Sequence, residues 1–226
     1  MSLKHFHSAF RRSFRFSSWL LIAAASAPLA GCFGIAAVGV GTGALVVADR
    51  RTPENYVADE GIKVRAANAI SNQFGDKVHV NVTSYNRTML LTGEVPDEET
   101  KAGVEKAATT ISSDVKSVVN ELRIAGNSNF SSRSNDTYLT SKVKARFLDA
   151  AKFSINHVKI VTENGSVYLL GLVTQQEADA AVETARTTGG VQRVVRVFEI
   201  ISTAEAKRLD NALQPKKSDQ PADTKQ

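Results

Sequence analysis

The feature that most constrains this chain is an internal repeat, in which one pattern of residues returns 77 or 78 positions later. Apolar residues at i, i+4 and i+8 open both copies: Ile62, Ala66, Ile70 and then Leu139, Val143, Phe147. This spacing places the three side chains on one face of a helix. Because the pattern occurs twice, the sequence predicts two similar small domains, each with a modest core.

Each copy continues with two runs of alternating apolar residues, an alanine-rich stretch and a valine-rich run. The alternating runs flank turns at 85–87 and 163–165, and the dipeptide Asn164-Gly165 is a strong hairpin signal. Gly93 and Gly171 recur inside the second run, where glycine indicates a bulge or a close backbone approach. The sequence thus predicts an α+β fold of order α-β-β-α-β, with two helices packed on a three-stranded mixed sheet in each copy.

Two pairs of polar residues repeat as well. Asp59 and Asp136 stand at matching positions, which we interpret as N-caps of the two first helices. His79 and His157 occupy matching strand positions, and duplication explains them without chemistry. A catalytic or metal-binding pair would need both histidines together with carboxylates. No nucleophile elbow, phosphate loop or metal motif is present, so we predict neither an enzyme nor a cofactor.

The first 31 residues have the order of a secretory signal, with a basic stretch, a short apolar run over 19–30 and small residues. The junction Leu29-Ala30-Gly31-Cys32 resembles the lipobox of bacterial lipoproteins, in which the cysteine becomes the acylated N-terminus. Cys32 is also the one cysteine of the chain, which rules out an intramolecular disulfide. We predict that Cys32 is the lipid-attachment site, carrying palmitate-type chains.

Two other interpretations of this region stay open. Arg11-Arg12 resembles a twin-arginine export signal, although an ordinary basic leader explains it equally well. Residues 17–48 contain no charge, so an uncleaved membrane helix is an alternative, against which Pro28 and the glycines argue.

The charge of the whole chain is misleading about its partners. A net charge of +5 with a pI near 9.3 is typical of nucleic-acid binding. Four of the basic residues lie in the leader, which has no acidic residue, so the rest of the chain carries a net charge of only +1. We therefore predict no nucleic-acid partner.

These patterns predict six segments. They are a signal peptide over 1–31, an acylated cysteine and flexible tether over 32–55, domain 1 over 56–125, a polar linker over 126–135, domain 2 over 136–202, and a short helix with a disordered tail over 203–226.

The second strands, ending in Leu91-Thr92-Gly93 and Leu169-Leu170-Gly171, and the valine-rich last strands resemble those of the BON domain. Two such domains behind a lipobox resemble the dual-BON outer-membrane lipoproteins. The resemblance implies a periplasm-facing protein of the outer membrane, and Phe33 rather than Asp after Cys32 agrees with that location. It further implies roles in envelope integrity and cell division, with outer-membrane assembly or septal peptidoglycan proteins as partners.

The resemblance also implies that the first helix of domain 2 binds anionic phospholipid. The candidate lipid-binding residues are Tyr138, Ser141, Lys142, Ala145 and Arg146, with Lys144 beside them. Tyrosine suits a headgroup interface, and each cation near an anionic surface contributes about 1 kcal/mol. Domain 1 has Gly61 at the position of Tyr138. Family members often carry Trp there, so Tyr138 predicts shallower insertion. The alternatives are a solvated basic helix face and a protein–protein adaptor for which lipid binding is incidental.

Overall fold

The computed structural model describes residues 49–213. The predicted signal peptide, Cys32, most of the predicted tether and the predicted disordered tail lie outside these residues. Among the helices of this described range, none is both long enough and apolar enough to cross a membrane.

The repeat is visible as two α-β-β-α-β domains, as the sequence predicts. The first domain consists of α1 (Pro53–Phe74), β1 (His79–Tyr85), β2 (Thr88–Val95), α2 (Glu98–Thr109), β3 (Ser117–Asn120) and β4 (Arg123–Ile124). The second consists of α3 (Phe130–Ala150), β5 (Lys159–Glu163), β6 (Ser166–Val173), α4 (Gln175–Arg186) and β7 (Arg193–Ile200), and α5 (Thr203–Ala212) follows. One 3₁₀ turn, Gly75–Lys77 or Ile155–His157, precedes the first strand of each domain.

Both sheets are mixed. β1–β2 and β5–β6 are antiparallel hairpins, whereas β3, β4 and β7 run parallel to the central strand of their own sheet. The last strand of the first domain differs from its counterpart, because it is interrupted at 121–122 and continues as β4. Leu122 lies in the interruption, where its side chain is only 2 % exposed and its backbone N–H donates to the side chain of Asn120 at 3.2 Å.

The predicted helix faces form the two cores. The six repeated apolar residues of α1 and α3 are at most 3 % exposed, and they pack on the inward-facing residues of the central strands. The close approach predicted for the strand glycines is also present. A Cβ on Gly93 would lie 2.0 Å from the His79 carbonyl oxygen, and one on Gly171 would lie 2.3 Å from that of His157.

The structure corrects the N-cap interpretation of Asp59 and Asp136. The helices begin earlier, with Thr52 and Asn129 as the N-caps of α1 and α3. The two aspartates lie inside the helices and are buried, and their carboxylates accept the backbone N–H groups of the hairpin turns instead. Asp59 binds Asn86 and Arg87 at 2.7 Å, and Asp136 binds Asn164 and Gly165 at 2.9 Å. Each aspartate therefore joins a helix to its hairpin.

The ordered part of each domain also begins before the predicted boundary. α3 starts inside the segment predicted as a linker, which leaves four residues between β4 and Asn129. Residues 49–52, predicted as tether, contact the domains: Arg50 is 4 % exposed and pairs with Glu177 and Asp210. A charged side chain is rarely buried without such partners, and no local pattern reveals them.

The sheet faces that point away from the helices meet each other. Tyr85 and Leu90 of the first domain form one buried cluster with Tyr168, Leu170 and Leu172 of the second, and none of them is more than 6 % exposed. This cluster explains why both faces of the central strands are apolar.

Candidate functional site

The outer face of α3 presents the residues predicted to bind lipid. Tyr138 is 66 % exposed, and Ser141, Ala145 and Arg146 are exposed on the same helix. The opposite face, with Leu139, Val143 and Phe147, is buried in the core. The structure therefore brings the predicted residues together on one solvent-facing surface, which we call the α3 face.

Leu148 is a further apolar residue of the α3 face, and the sequence analysis did not predict it. Its side chain is 62 % exposed. Residues 138, 145 and 148 are separated by seven and three positions, so they lie along one stripe of the helix. That spacing was the available signal. It marks Leu148 as a second exposed apolar group of this stripe, about 15 Å from Tyr138 along the helix axis at about 1.5 Å per residue.

The cations of the α3 face are not neutralised by acidic groups. None of Lys142, Lys144 and Arg146 forms a salt bridge within residues 49–213. Lys142 donates from Nζ to the carbonyl oxygen of Gly189 at 2.7 Å, and Arg146 donates to the Thr187 hydroxyl at 3.3 Å. The loop 187–190 therefore borders this surface, and one hydrogen bond of the Lys142 ammonium group is used to hold this loop.

The matching helix of the first domain has a different surface. Gly61 replaces Tyr138, and Val57 and Val64 are exposed at 71 % and 54 %. Its cation Lys63 lies 3.2 Å from Glu60, so its charge is partly balanced. The first domain thus offers apolar side chains and, near the start of α1, the 52 % exposed Tyr56, but no aromatic ring at the position of Tyr138 and no group of three cations such as that of α3.

The two repeated histidines lie in separate polar clusters. His157 is 7 % exposed, in the 3₁₀ turn before β5, with Glu177 at 3.4 Å and Asp210 at 3.5 Å. Arg50 bonds to both carboxylates at 2.7 Å. Burial, reinforced by the charge of Arg50, lowers the pKa of His157. Although burial alone would raise it, the hydrogen bonds and charge of Arg50 lower the pKa of Glu177 to about 2.

His79 stands in the second cluster, where the two domains meet. Its Nδ1 lies 2.9 Å from Oε2 of Glu94, which also accepts the backbone N–H of Ser128 at 3.1 Å. Glu163 of the second domain is 5 % exposed and accepts from the Asn81 amide at 2.7 Å. Burial raises the pKa of Glu163. The two histidines are thus not brought together, and each has acquired its own carboxylates.

A cleft of about 300 Å³ opens beside this second cluster. Its lining is polar and comes from both domains: His79, Asn81, Arg133, Asp136, Thr137, Thr140, Thr162 and Glu163. Thr140 and Thr162 share a hydrogen bond of 2.7 Å across it. The cleft gives solvent a route to an otherwise buried group of carboxylates.

The fold defines a class of protein with two α-β-β-α-β domains joined through their sheets, and the comparisons with known proteins agree. The BON domain model matches residues 58–126 and 135–202. The chain belongs to the BON-domain family.

Its relatives include Outer membrane lipoprotein DolP of Haemophilus influenzae, which is 34 % identical over 175 residues, or 76 % of this chain and 90 % of that protein. The 21 kDa hemolysin of Actinobacillus pleuropneumoniae is 30 % identical over 155 residues, or 68 % of this chain and 79 % of that protein. The similarity to DolP supports an outer-membrane lipoprotein of the BON family and confirms the predicted resemblance and fold class.

Among solved structures, CdsD, a structural protein of the type III secretion system of Chlamydia trachomatis, covers 71 % of this chain at 14 % identity with a TM-score of 0.28. The C-terminal domain of CdsD covers 67 % at 13 % identity with a TM-score of 0.27.

Proposed function

We propose that this protein is anchored in the outer membrane through an acylated Cys32, faces the periplasm and binds anionic phospholipid with the α3 face. Its role in envelope integrity and cell division is then structural, without catalysis. The observation that carries the proposal is the exposed stripe of Tyr138 and Leu148 beside three cations that form no salt bridge within residues 49–213.

The chemistry of the α3 face fits the boundary of an anionic membrane. A tyrosine ring places an apolar body and a polar tip at headgroup depth. Each of Lys144 and Arg146 adds about 1 kcal/mol near an anionic surface, and Lys142 adds less because it also holds Gly189. These contributions are modest. The anchor compensates for that, because tethering the domain to the bilayer makes the second contact intramolecular.

The rigidity of α3 supports the same function. Asp136 binds the turn of the β5–β6 hairpin two residues before Tyr138, and Leu139 is buried directly after it. The orientation of Tyr138 relative to the domain is therefore set by the core. A face held in this way loses little conformational entropy when it meets a surface.

The test is binding of residues 46–226 to vesicles of phosphatidylcholine with and without phosphatidylglycerol, measured by co-sedimentation. This fragment keeps Asp49 and Arg50, which the fold uses. Lys144→Glu reverses a charge that forms no hydrogen bond or ion pair within residues 49–213, and Leu148→Ser removes the apolar group without disturbing the core. Arg65→Glu in α1, at the position that corresponds to Lys142, is the matched control.

Binding that needs phosphatidylglycerol, weakens with salt, and is lost in Lys144→Glu and Leu148→Ser but kept in Arg65→Glu would establish the α3 face as the lipid contact. Absence of binding by the folded wild-type fragment would overturn the proposal. The adaptor function would then stand in its place, with the exposed Val57 and Val64 of α1 as the first surface to examine.

A further inference from the structure

The cluster of His79, Glu94 and Glu163 has the composition of a metal site. Each residue offers one ligand atom, and these atoms all lie within 4.8 Å of one another. In a tetrahedral site with bonds of about 2.0–2.2 Å, the ligand atoms lie about 3.3–3.6 Å apart. His79 Nδ1 and Glu94 Oε2 are 2.9 Å apart, so rotations of the three side chains would bring their ligand atoms to that spacing.

The carboxylates of this cluster are held by hydrogen bonds and not by lysine or arginine: Glu94 accepts from Ser128 and Asn164, and Glu163 accepts from Asn81. Glu94 and Glu163 are 2 % and 5 % exposed, and neither forms an ion pair with a lysine or arginine within residues 49–213. Buried charges in proteins are normally paired or bound to metal.

The repeated histidine cluster shows how the same chain balances such a group. At His157 two carboxylates are also present, and there Arg50 reaches both of them with four hydrogen bonds and ion pairs of 2.7 Å. A protein cation therefore fills that position. Around His79, no lysine or arginine within residues 49–213 forms an ion pair with Glu94 or Glu163, although Arg133 lines the neighbouring cleft.

The cleft beside Glu163 provides an entrance and further ligands. Glu163 Oε2 accepts from Asn81, whereas its Oε1 accepts no hydrogen bond from the described residues. Glu163 lines the cleft together with the hydroxyl groups of Thr140 and Thr162. An ion can therefore enter from solvent and keep water in its remaining coordination positions.

We propose that His79, Glu94 and Glu163 bind one divalent transition-metal ion, such as Zn²⁺, that bridges the two BON domains. One imidazole nitrogen with two carboxylate oxygens favours Zn²⁺ and its neighbours over Mg²⁺ and Ca²⁺, which prefer oxygen alone. Two ligands come from the first domain and one from the second, so the ion stabilises the contact between the sheets.

The experiment uses the mature lipoprotein in detergent, purified without a polyhistidine tag and treated with chelator. Calorimetric titration with Zn²⁺ is expected to give one ion per chain. Glu163→Gln keeps the acceptor for Asn81 and should weaken binding at least tenfold. Glu199→Gln is the matched control, because Glu199 also accepts from an asparagine of the other domain, Asn86, but has no histidine near it. With Zn²⁺ in hundredfold excess over its Kd, the wild-type Tm should rise by about 5 °C.

A second readout needs no substitution. His79 and His157 are the histidines that follow the predicted leader, so imidazole ¹⁵N spectra contain one internal control. Zn²⁺ should shift the His79 nitrogens and leave those of His157 unchanged. The proposal is overturned if folded wild-type protein binds no Zn²⁺ at about 100 μM, if Glu163→Gln binds like the wild type, or if His79 does not respond; the cluster would then be a polar contact between domains only.

Discussion

The two domains have cores of the same construction and differ in their surfaces. Asp59 and Asp136 perform the same task, as do Gly93 and Gly171, and both cores use the same helix face. The outer faces of α1 and α3 and the surroundings of the two histidines have diverged. The comparison shows that duplication conserved what each domain needs in order to fold, whereas the surfaces became free to acquire separate roles.

The largest effect is expected at the strand glycines. Gly93→Ala and Gly171→Ala would each place a Cβ within 2.3 Å of a backbone carbonyl oxygen, so the two backbone segments that meet there would have to move apart. We expect each to lower the free energy of unfolding by about 4 kcal/mol or more. Gly126→Ala is the control, because nothing lies within 4 Å of its Cβ position. Urea denaturation measures all three, and a loss below about 1 kcal/mol at either strand glycine would contradict the shared constraint.

The aspartates should rank in the order of their contacts. Asp59 accepts from two turn amides and Ser84 and also pairs with Arg51, whereas Asp136 accepts from two turn amides. Asn at either position replaces one carboxylate oxygen by an NH₂ group, which would then face a backbone N–H donor of the turn. We expect a loss of about 3 kcal/mol for Asp59→Asn and about 2 kcal/mol for Asp136→Asn, measured by denaturation. Equal losses would mean that the additional contacts of Asp59 with Ser84 and Arg51 contribute nothing.

The histidine cluster of the second domain predicts a pH dependence. The pKa of Glu177 falls from 4.5 to about 2, so its contribution to stability is complete above pH 4.5 and is lost as the pH falls through about 2. Glu177→Gln should cost about 2 kcal/mol at pH 7, and its Tm should approach that of the wild type as the pH falls towards 2.

Glu99→Gln, at the matching position of the first domain, is the control because Glu99 is exposed and forms no salt bridge within the described range. A constant Tm difference between Glu177→Gln and wild type across this pH range would contradict the role given to Glu177.

The smallest effect on stability is expected for Gly61→Tyr, which gives α1 the aromatic ring of α3. The Cβ would meet only the flexible end of Arg65 at 3.0 Å, and helix propensity improves, so stability should rise by about 0.5 kcal/mol. Vesicle binding should increase less than twofold, because Ala67 and Ala69 stand where α3 has Lys144 and Arg146. A larger increase would show that the difference in vesicle binding between α1 and α3 comes from the aromatic ring and not from the charge.

Much of the fold was readable because its signals are local. The i, i+4, i+8 residues identified the buried helix faces, and Asn164-Gly165 identified a turn that does have positive φ at both residues. The spacing of Thr174 and Glu177 is typical of a capping box, and the structure contains it. Tyr138 was found in the same way, because exposure follows from its position opposite the core residues.

The functions of Asp59, Arg50 and Glu163 were not readable in this way. Asp59 had a plausible local function as an N-cap, but its carboxylate is buried and accepts from turn amides 27 and 28 residues away and from Arg51. The sequence places Arg50 at the end of the predicted tether, because its partner Asp210 is 160 residues away in the chain. Glu163 belongs to a hairpin turn in the sequence and to a shared cluster only after the sheets meet.

The sequence by itself determined the repeat, the order of elements and the two cores, since periodicity and turn chemistry act over a few residues, and it also predicts a leader with a lipobox pattern. Tertiary structure decided the pairing of the two sheets, the clusters around the histidines and the surroundings of the α3 face. Those features join residues that are far apart in the chain, and their energies depend on which polar groups become buried together, which no local pattern specifies.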